Sequence, residues 1–280
     1  MKIGMNLLLW TAHVTEAQFP LLAALKNAGF DGVELPLFEG DANHYKQIHK
    51  ELANQGLGAT TVTVVNSDTN PIDPSPTVRN KALDRIKWAI DMTHELGGSA
   101  LAGPYHSAIG VFSGNPPTPR EKAHGVEVLR QAAEHAQQAN VKLTIEYLNR
   151  FECYFLTTAA QAAELVDAVD HPSFMCMYDT FHAHIEEKSQ AAAIATLWKR
   201  FGHVHISEND RGVPGSGQVR WTEAFSALKQ SGYDGWLTIE AFGRALPDIA
   251  AATKVWRDLF AQPEDVYLKG IDFIRKNWHG

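Results

Sequence analysis

The sequence predicts an α/β fold, a closed (β/α)8 barrel formed as a single domain over residues 1–280. Three observations predict it. First, one unit recurs: a helical stretch, then a Gly or Asn, then a short strand-like run. "LKNAGFDGVEL" (25–35) and "LKQSGYDGWLTIE" (228–240) share Leu-Lys, a Gly, an aromatic and Asp-Gly before the strand. Second, eight strand candidates alternate with helical patterns, which implies parallel strands joined by right-handed crossovers. Third, eight such units in 280 residues fit a barrel better than an open sheet. An open dinucleotide-binding sheet should carry GxGxxG after an early strand, whereas "TAHVTEAQ" follows the first one here.

The strands are expected near 2–9, 32–37, 58–65, 99–103, 141–147, 174–178, 202–207 and 236–241. The first is the apolar run of "KIGMNLLLW". The second, third and fourth follow "NAGFDG", "ANQGLG" and "HELGG", where Gly can take the left-handed conformation that stops a helix. The fifth follows "QQAN", the sixth follows "DHPS" as "FMCMYD", the seventh is "GHVHIS" and the eighth "WLTIEAF". Their β-branched and apolar residues suit strands buried on both faces. "VVNSDTNPIDPS" (64–75) reads as a polar loop at the barrel mouth. "GVPGSG" (212–217) lacks the Lys-Ser/Thr of a phosphate-binding loop and reads as a loop crossing that mouth. "VWRDL" (255–259) reads as terminal packing, and a last helix over 264–277 packs on the barrel.

Composition narrows the function classes. A net charge of −7 gives no basic footprint, which argues against nucleic acid and for small-molecule chemistry. Cys153 and Cys176 lie beside apolar residues and form no CxxC, as expected of buried thiols in a reducing cytoplasm. No apolar run reaches the length of a membrane span, and "MKIGMNLLLW" has neither the basic start nor the small-residue ending of a leader.

In a (β/α)8 barrel the chemistry sits at the C-terminal ends of the strands. Glu146, Asp179, His205 and Glu240 interrupt otherwise apolar strands five to eight at that end. Alone, each has a bland reading: a strand-end carboxylate is often solvated, and a buried His often bonds a carbonyl. Together they converge, because equivalent positions on adjacent strands stand roughly 5 Å apart. Unpaired, they would carry a heavy desolvation cost, so a cation is expected among them. Three carboxylates and one imidazole suit Mn²⁺, Mg²⁺ or Co²⁺ better than structural zinc. The repeated "TIE" (144–146 and 238–240) places two carboxylates where a two-base proton transfer needs them. Glu34, at the end of strand two, either approaches the site or pairs locally with a basic neighbour, and the local structural role is the expected one. His184, Glu186 and Glu187 are expected to be bystanders, solvated or at a helix dipole.

The blocks "IEYLNRFE" (145–152), "DTFHAHIEE" (179–187), "HVHISENDRGVPGSG" (203–217), "TIEAF" (238–242) and "VWRDL" closely resemble the ketose 3-epimerases of the D-tagatose/D-allulose (psicose) 3-epimerase family, within the xylose-isomerase-like TIM barrels. The resemblance implies metal ligation by Glu146, Asp179, His205 and Glu240, with Mn²⁺ foremost and Co²⁺ or Mg²⁺ as alternatives. It implies Glu146 and Glu240 as the acid/base pair, and Glu152, His182 and Arg211 gripping the O1 to O3 end of a ketose. It also implies a homodimer or homotetramer. In such a reaction a base removes the proton alpha to the C2 carbonyl and an acid returns one to the other face of C3.

The first half departs from the family pattern. "NLLLW" offers Leu7 and Leu8 where aromatics are usual, and "AGPYHSAIG" inserts Pro104 and Tyr105. Trp10, Asn66, Tyr105 and His106 are therefore candidates to read the distal end of the sugar, or else a packed rim. The rival on the same frame is an aldose–ketose or hydroxypyruvate-type isomerase. A DNA-repair endonuclease would need more histidine ligands and a basic groove, and a non-catalytic sugar-binding barrel would need no metal.

Overall fold

A computed structural model describes residues 1–279 as a closed barrel of eight parallel strands in sequence order. The strands are β1 Lys2–Asn6, β2 Gly32–Pro36, β3 Gly58–Val62, β4 Ala100–Gly103, β5 Lys142–Ile145, β6 Phe174–Asp179, β7 Phe201–Ile206 and β8 Trp236–Ile239. Closure is made by β1 on β8, with Lys2 opposite Trp236 and Met5 opposite Ile239. All eight fall where the sequence places them.

Two ends differ. The first strand stops at Asn6 and not at residue 9, because the Asn6 side chain accepts the Leu8 N–H at 2.8 Å and winds Leu7–Leu9 into a 3₁₀ turn. The third stops at Val62, three residues short of the expected end.

The helices are α1 Phe19–Ala28, α2 Ala42–Gln55, α3 Pro76–Glu95, α4 Pro119–Gln138, α5 Ala159–Val169, α6 Thr180–Glu186, α7 Gln190–Leu197, α8 Trp221–Gln230, α9 Pro247–Thr253 and α10 Pro263–His279. Their starts follow side-chain chemistry: Asp41, Thr118, Thr158 and Ser189 accept backbone N–H groups of α2, α4, α5 and α7. Gly29, at φ 94°, ends α1 in the left-handed region as the sequence requires. The same role after α5 falls to Asp170 at φ 47°. The last helix packs its Phe273 ring against Trp221 and Phe225 of α8, with centroids 5.1 and 5.9 Å away.

The barrel interior is closed at its N-terminal end by Trp236. Its indole lies against Gly32 and Gly58, where any side chain would strike it, and its Nε1 donates to Ser99 Oγ at 3.3 Å. This plug spans the floor from β8 towards β4 and leaves the opposite end for polar groups. Among the described residues no helix is long and apolar enough to cross a membrane.

Candidate metal centre and proton-transfer site

Strand register gathers the four charged strand-end residues. Asp179 is the last residue of β6 and lies opposite His205 of β7. Glu146 follows β5 directly, and Glu240 follows β8. His205 Nδ1 stands 3.4 Å from Glu240 Oε1, 3.5 Å from Asp179 Oδ2 and 3.9 Å from Glu146 Oε1. One donor atom from each residue lies within 4.8 Å of the others, and all four residues are buried.

The residues fit a divalent cation. His205 Nδ1 and Glu146 Oε1 are buried and have no hydrogen-bond partner. Buried polar atoms left unpartnered are costly, and both aim at the same point. The 3.4–3.9 Å distances from His205 Nδ1 are also those of ligands about one ion, since atoms bound at ~2.1 Å stand ~3–4.2 Å apart.

The far side of His205 is equally defined. Its Nε2 donates to Glu34 Oε1 at 2.7 Å. Glu34 Oε1 also accepts Asn6 Nδ2 at 2.9 Å, and Oε2 accepts Thr60 Oγ1 at 2.9 Å. His203 Nε2 lies 2.8 Å from Oε2, too obliquely for a hydrogen bond. Burial acts to raise the Glu34 carboxyl, but His205 and His203 hold it well below the usual carboxylate range. Its basic partners thus come from β7, across the barrel, and not from its own neighbourhood in sequence.

Arg211 supplies the fixed positive charge. Its backbone is left-handed, at φ 67°, within the loop after β7. Nη1 donates to Glu240 Oε2 at 2.6 Å, Ser207 Oγ at 2.9 Å and Asp179 Oδ2 at 3.2 Å. The guanidinium lies over the Phe181 ring, 3.7 Å from its centroid. Buried Glu208 pins the loop by accepting from Asn209 N, Gly215 N, Val219 N and Trp221 Nε1. The glycines of 212–217 serve this packing: Gly215 lies on the Phe273 ring, and Gly217 lies against Glu208 and Asn209.

These charges divide the carboxylates. Burial, and then the neighbouring Glu240, push the Glu146 carboxyl well above its usual range. Burial acts on Asp179 the same way, but Arg211 and His205 hold it below. His182 is pushed down to about 3 by burial and by Arg211, so its ring is neutral. Its Nδ1 accepts the Asn149 N–H at 2.9 Å, and its Nε2 lies 3.0 Å from Arg211 Nη2 and 3.6 Å from Glu146 Oε1. Asn149 Nδ2 also donates to Glu152 Oε1 at 2.8 Å and so holds that half-buried carboxylate beside His182. Burial raises the Glu152 carboxyl, with Arg211 opposing.

The rim candidates separate. The Tyr105 ring is fully buried and its hydroxyl is committed to the Leu101 carbonyl at 3.1 Å, so it packs the core. Asn66 caps the 67–69 turn, accepting from Asp68 N at 2.9 Å and Thr69 Oγ1 at 3.1 Å. Trp10 is half-buried with its ring 6.1 Å from that of Tyr267 on α10. Tyr105 is thus committed to the core, while Trp10 and Asn66 keep part of their surface open at the mouth. His106 remains open: Nδ1 meets Ser107 Oγ at 2.8 Å, while buried Nε2 has no partner. A small apolar cluster of Leu8, Val62, Phe242 and Val255, with Phe38, Ile249 and Leu259 against it, lies apart from the main core.

The expected bystanders have structural work. Glu187 accepts the Ala159 N–H at the start of α5, and Glu186 forks to Arg150. Sequence reasoning missed His203, Asn149, Ser207 and Glu208. The alternation in "HVH" was a signal for His203, since residues two apart on a strand share a face.

The model of the xylose isomerase-like TIM barrel family matches residues 22–277. The chain is 30% identical to a ketose 3-epimerase of Arthrobacter globiformis over 98% of this chain and 96% of that one. It is 31% identical to a D-psicose 3-epimerase of Agrobacterium fabrum over 92% of this chain and 91% of that one. It superposes on a crystal structure of the D-allulose 3-epimerase of Methylomonas sp. in complex with D-allulose with a TM-score of 0.93. That pair is 27% identical and covers 99% of this chain and 97% of the other.

Proposed function

The chain belongs to the ketose 3-epimerases of the xylose isomerase-like TIM barrel family, and on that premise we propose that it inverts C3 of a free ketose. The substrates we infer are of the D-fructose/D-allulose, D-tagatose/D-sorbose or L-ribulose/L-xylulose type. One observation carries the reading. Two buried carboxylates, Glu146 and Glu240, come from strands three apart in the barrel and flank the same imidazole nitrogen at 3.9 and 3.4 Å.

Glu146, Asp179, His205 and Glu240 would hold a divalent cation, Mn²⁺ foremost and Co²⁺ or Mg²⁺ as alternatives. When bound, that ion supplies Lewis-acid stabilisation of negative charge on the sugar's O2 and O3. Glu146 and Glu240 then act in turn: one takes the C3 proton from one face of the ketose, which leaves the enediolate, and the other returns a proton to C3 on the opposite face. The sugar need not rotate. The raised Glu146 carboxyl suits a group that must carry a proton during turnover. Arg211, with five N–H donors, together with neutral His182 and Glu152, holds the O1 to O3 end.

Incubation with D-fructose tests the reaction type. D-Allulose is the expected product, with solvent deuterium at C3 alone; an aldose product would assign a C1–C2 isomerase instead. Activity is expected to vanish after EDTA and to return with Mn²⁺, Co²⁺ or Mg²⁺, and a panel of ketohexoses and ketopentoses ranks the substrates. A homodimer or homotetramer in the cytoplasm is the assembly we infer, supported by the exposed Phe151 and Trp256 rings and two buried free cysteines; light scattering measures it.

A further inference from the structure

Glu34 occupies an unusual position for a carboxylate: it is fully buried inside the barrel and is surrounded by donors from three other strands. Asn6 of β1 and His205 of β7 both donate to Oε1, at 2.9 and 2.7 Å. Thr60 of β3 donates to Oε2 at 2.9 Å, with His203 of β7 beside it at 2.8 Å. A carboxylate has about four lone-pair directions, and three here accept hydrogen bonds, with His203 Nε2 in close contact beside the third.

Glu34, His203 and His205 also lie close enough to share an ion. The bonding argues against a second ion there. Asn6 and Thr60 present hydrogens, and the 2.7 Å Glu34–His205 contact is a direct hydrogen bond with no room for a cation between.

The ring of His205 has two nitrogens with different duties. Nε2 is bonded to Glu34, and Nδ1 faces Glu146, Asp179 and Glu240 without a partner. A carboxylate that accepts one ring N–H leaves the other nitrogen as a lone pair and fixes the plane of the ring. We propose that Glu34 is a positioning residue for the metal centre: by accepting Nε2–H it holds His205 in the tautomer that turns Nδ1 towards the three carboxylates. Asn6, Thr60 and His203 hold Glu34 in turn. This inference rests on the metal reading given above, and it extends the centre from strands five to eight to β1, β2 and β3.

The test uses the full-length protein stripped with EDTA and titrated with Mn²⁺ against a fluorescent chelator. A Glu34→Gln variant must turn its amide hydrogens towards one pair of donors, and the Mn²⁺ Kd is expected to rise about 10–100-fold. In Mg²⁺-loaded protein labelled with ¹⁵N-histidine, the protected Nε2–H signal of His205, assigned by its loss in His205→Asn, should shift or disappear in Glu34→Gln. A purely structural role would leave that signal in place.

Thr60→Val removes one donor while keeping the strand's shape, and should move both readouts in the same direction by less. It decides the matter if Glu34→Gln fails to fold. A folded Glu34→Gln protein with an unmoved signal, and a Kd within about twofold of wild type, overturns the inference, because a lost supporting partner costs more than that. For Thr60→Val, unmoved readouts in the absence of folded Glu34→Gln protein do the same. Wild-type protein that binds no Mn²⁺ sinks the metal reading and this inference with it. Wild-type binding matched by the variants sinks this inference alone.

Discussion

Replacing Arg211 with Met separates electrostatic compensation at the mouth from mere packing. The guanidinium is 6% exposed and lies 2.6 Å from Glu240 Oε2 and 3.2 Å from Asp179 Oδ2. Removing one partner of a buried ion pair typically costs about 3–5 kcal/mol, because a charge is left uncompensated. Loss of the contact with Phe181 adds about 0.5–2 kcal/mol. A change of 1 kcal/mol moves Tm by about 2–4 °C in a chain somewhat smaller than this one, so a fall on the order of 7–28 °C, towards the lower end for this longer chain, is expected for EDTA-stripped protein. Met keeps a Cβ and a long stem, so the strain at φ 67° is unchanged between the two proteins.

Urea unfolding followed by circular dichroism measures the difference. With saturating Mn²⁺ the penalty should shrink by half or more, since a cation between Asp179 and Glu240 neutralises the same charge and binds only the folded state. Arg211→Lys keeps the charge but loses the forked donors, so its stability should stay near wild type while KM rises. A cost under about 1 kcal/mol in stripped protein, well short of a broken buried pair, would refute the reasoning. An equal cost with and without Mn²⁺ would do so too.

Three further outcomes test other parts of the structure. Glu146→Gln and Glu240→Gln should each lower kcat about 10²–10⁴-fold, and each should still exchange the C3 hydrogen of one epimer with deuterated solvent; loss of exchange from both epimers would contradict separate roles for the two faces. Gly103→Ala should destabilise the barrel by at least about 1–3 kcal/mol, read by thermal melting, because the backbone sits at φ 121° and a Cβ would strike the Thr63 carbonyl. At the start of α4, partial burial acts to raise Glu121, but hydrogen bonds from Tyr154 and Thr118 hold it below the usual range. That contribution is present above the ordinary Glu value of about 4.3 and is lost as pH falls through the depressed one. Thr118→Ala should cost about 1 kcal/mol at neutral pH and less below pH ~4 by urea titration.

The barrel was legible because its grammar is local. A Gly after each of several helices and an apolar run after the Gly are read one unit at a time, and eight units leave few topologies. The same local rule explains why the four charged strand-end residues stood out. It also marks Glu34, but it should have found His203, two residues before His205. The partners of Glu34 were not legible because they lie on β7, at a distance in sequence that no motif spans. The rim is legible only in part for a related reason: Tyr105 and Trp10 are amphipathic, and only packing decides whether such a ring meets solvent, ligand or core, as it does for buried Tyr105. Leu7–Leu9 were read as strand because apolar runs do not show where an Asn side chain will turn the chain.

The hydrogen bond between Glu34 and His205 joins residues 171 positions apart, and Glu240 follows the strand that seals the barrel against β1. A chain leaving the ribosome has therefore released β1 to β7 before its last carboxylate ligand exists in space. Contacts of such sequence separation form late, since the loop-closure entropy precedes their reward. On the proposed reading, a cation that needs all four side chains would bind only after β8 has docked, and in binding it would withdraw closed barrels from the equilibrium with open ones. Metal-starved chains would then expose an unpaired strand edge more often than loaded ones, and with it a greater risk of aggregation.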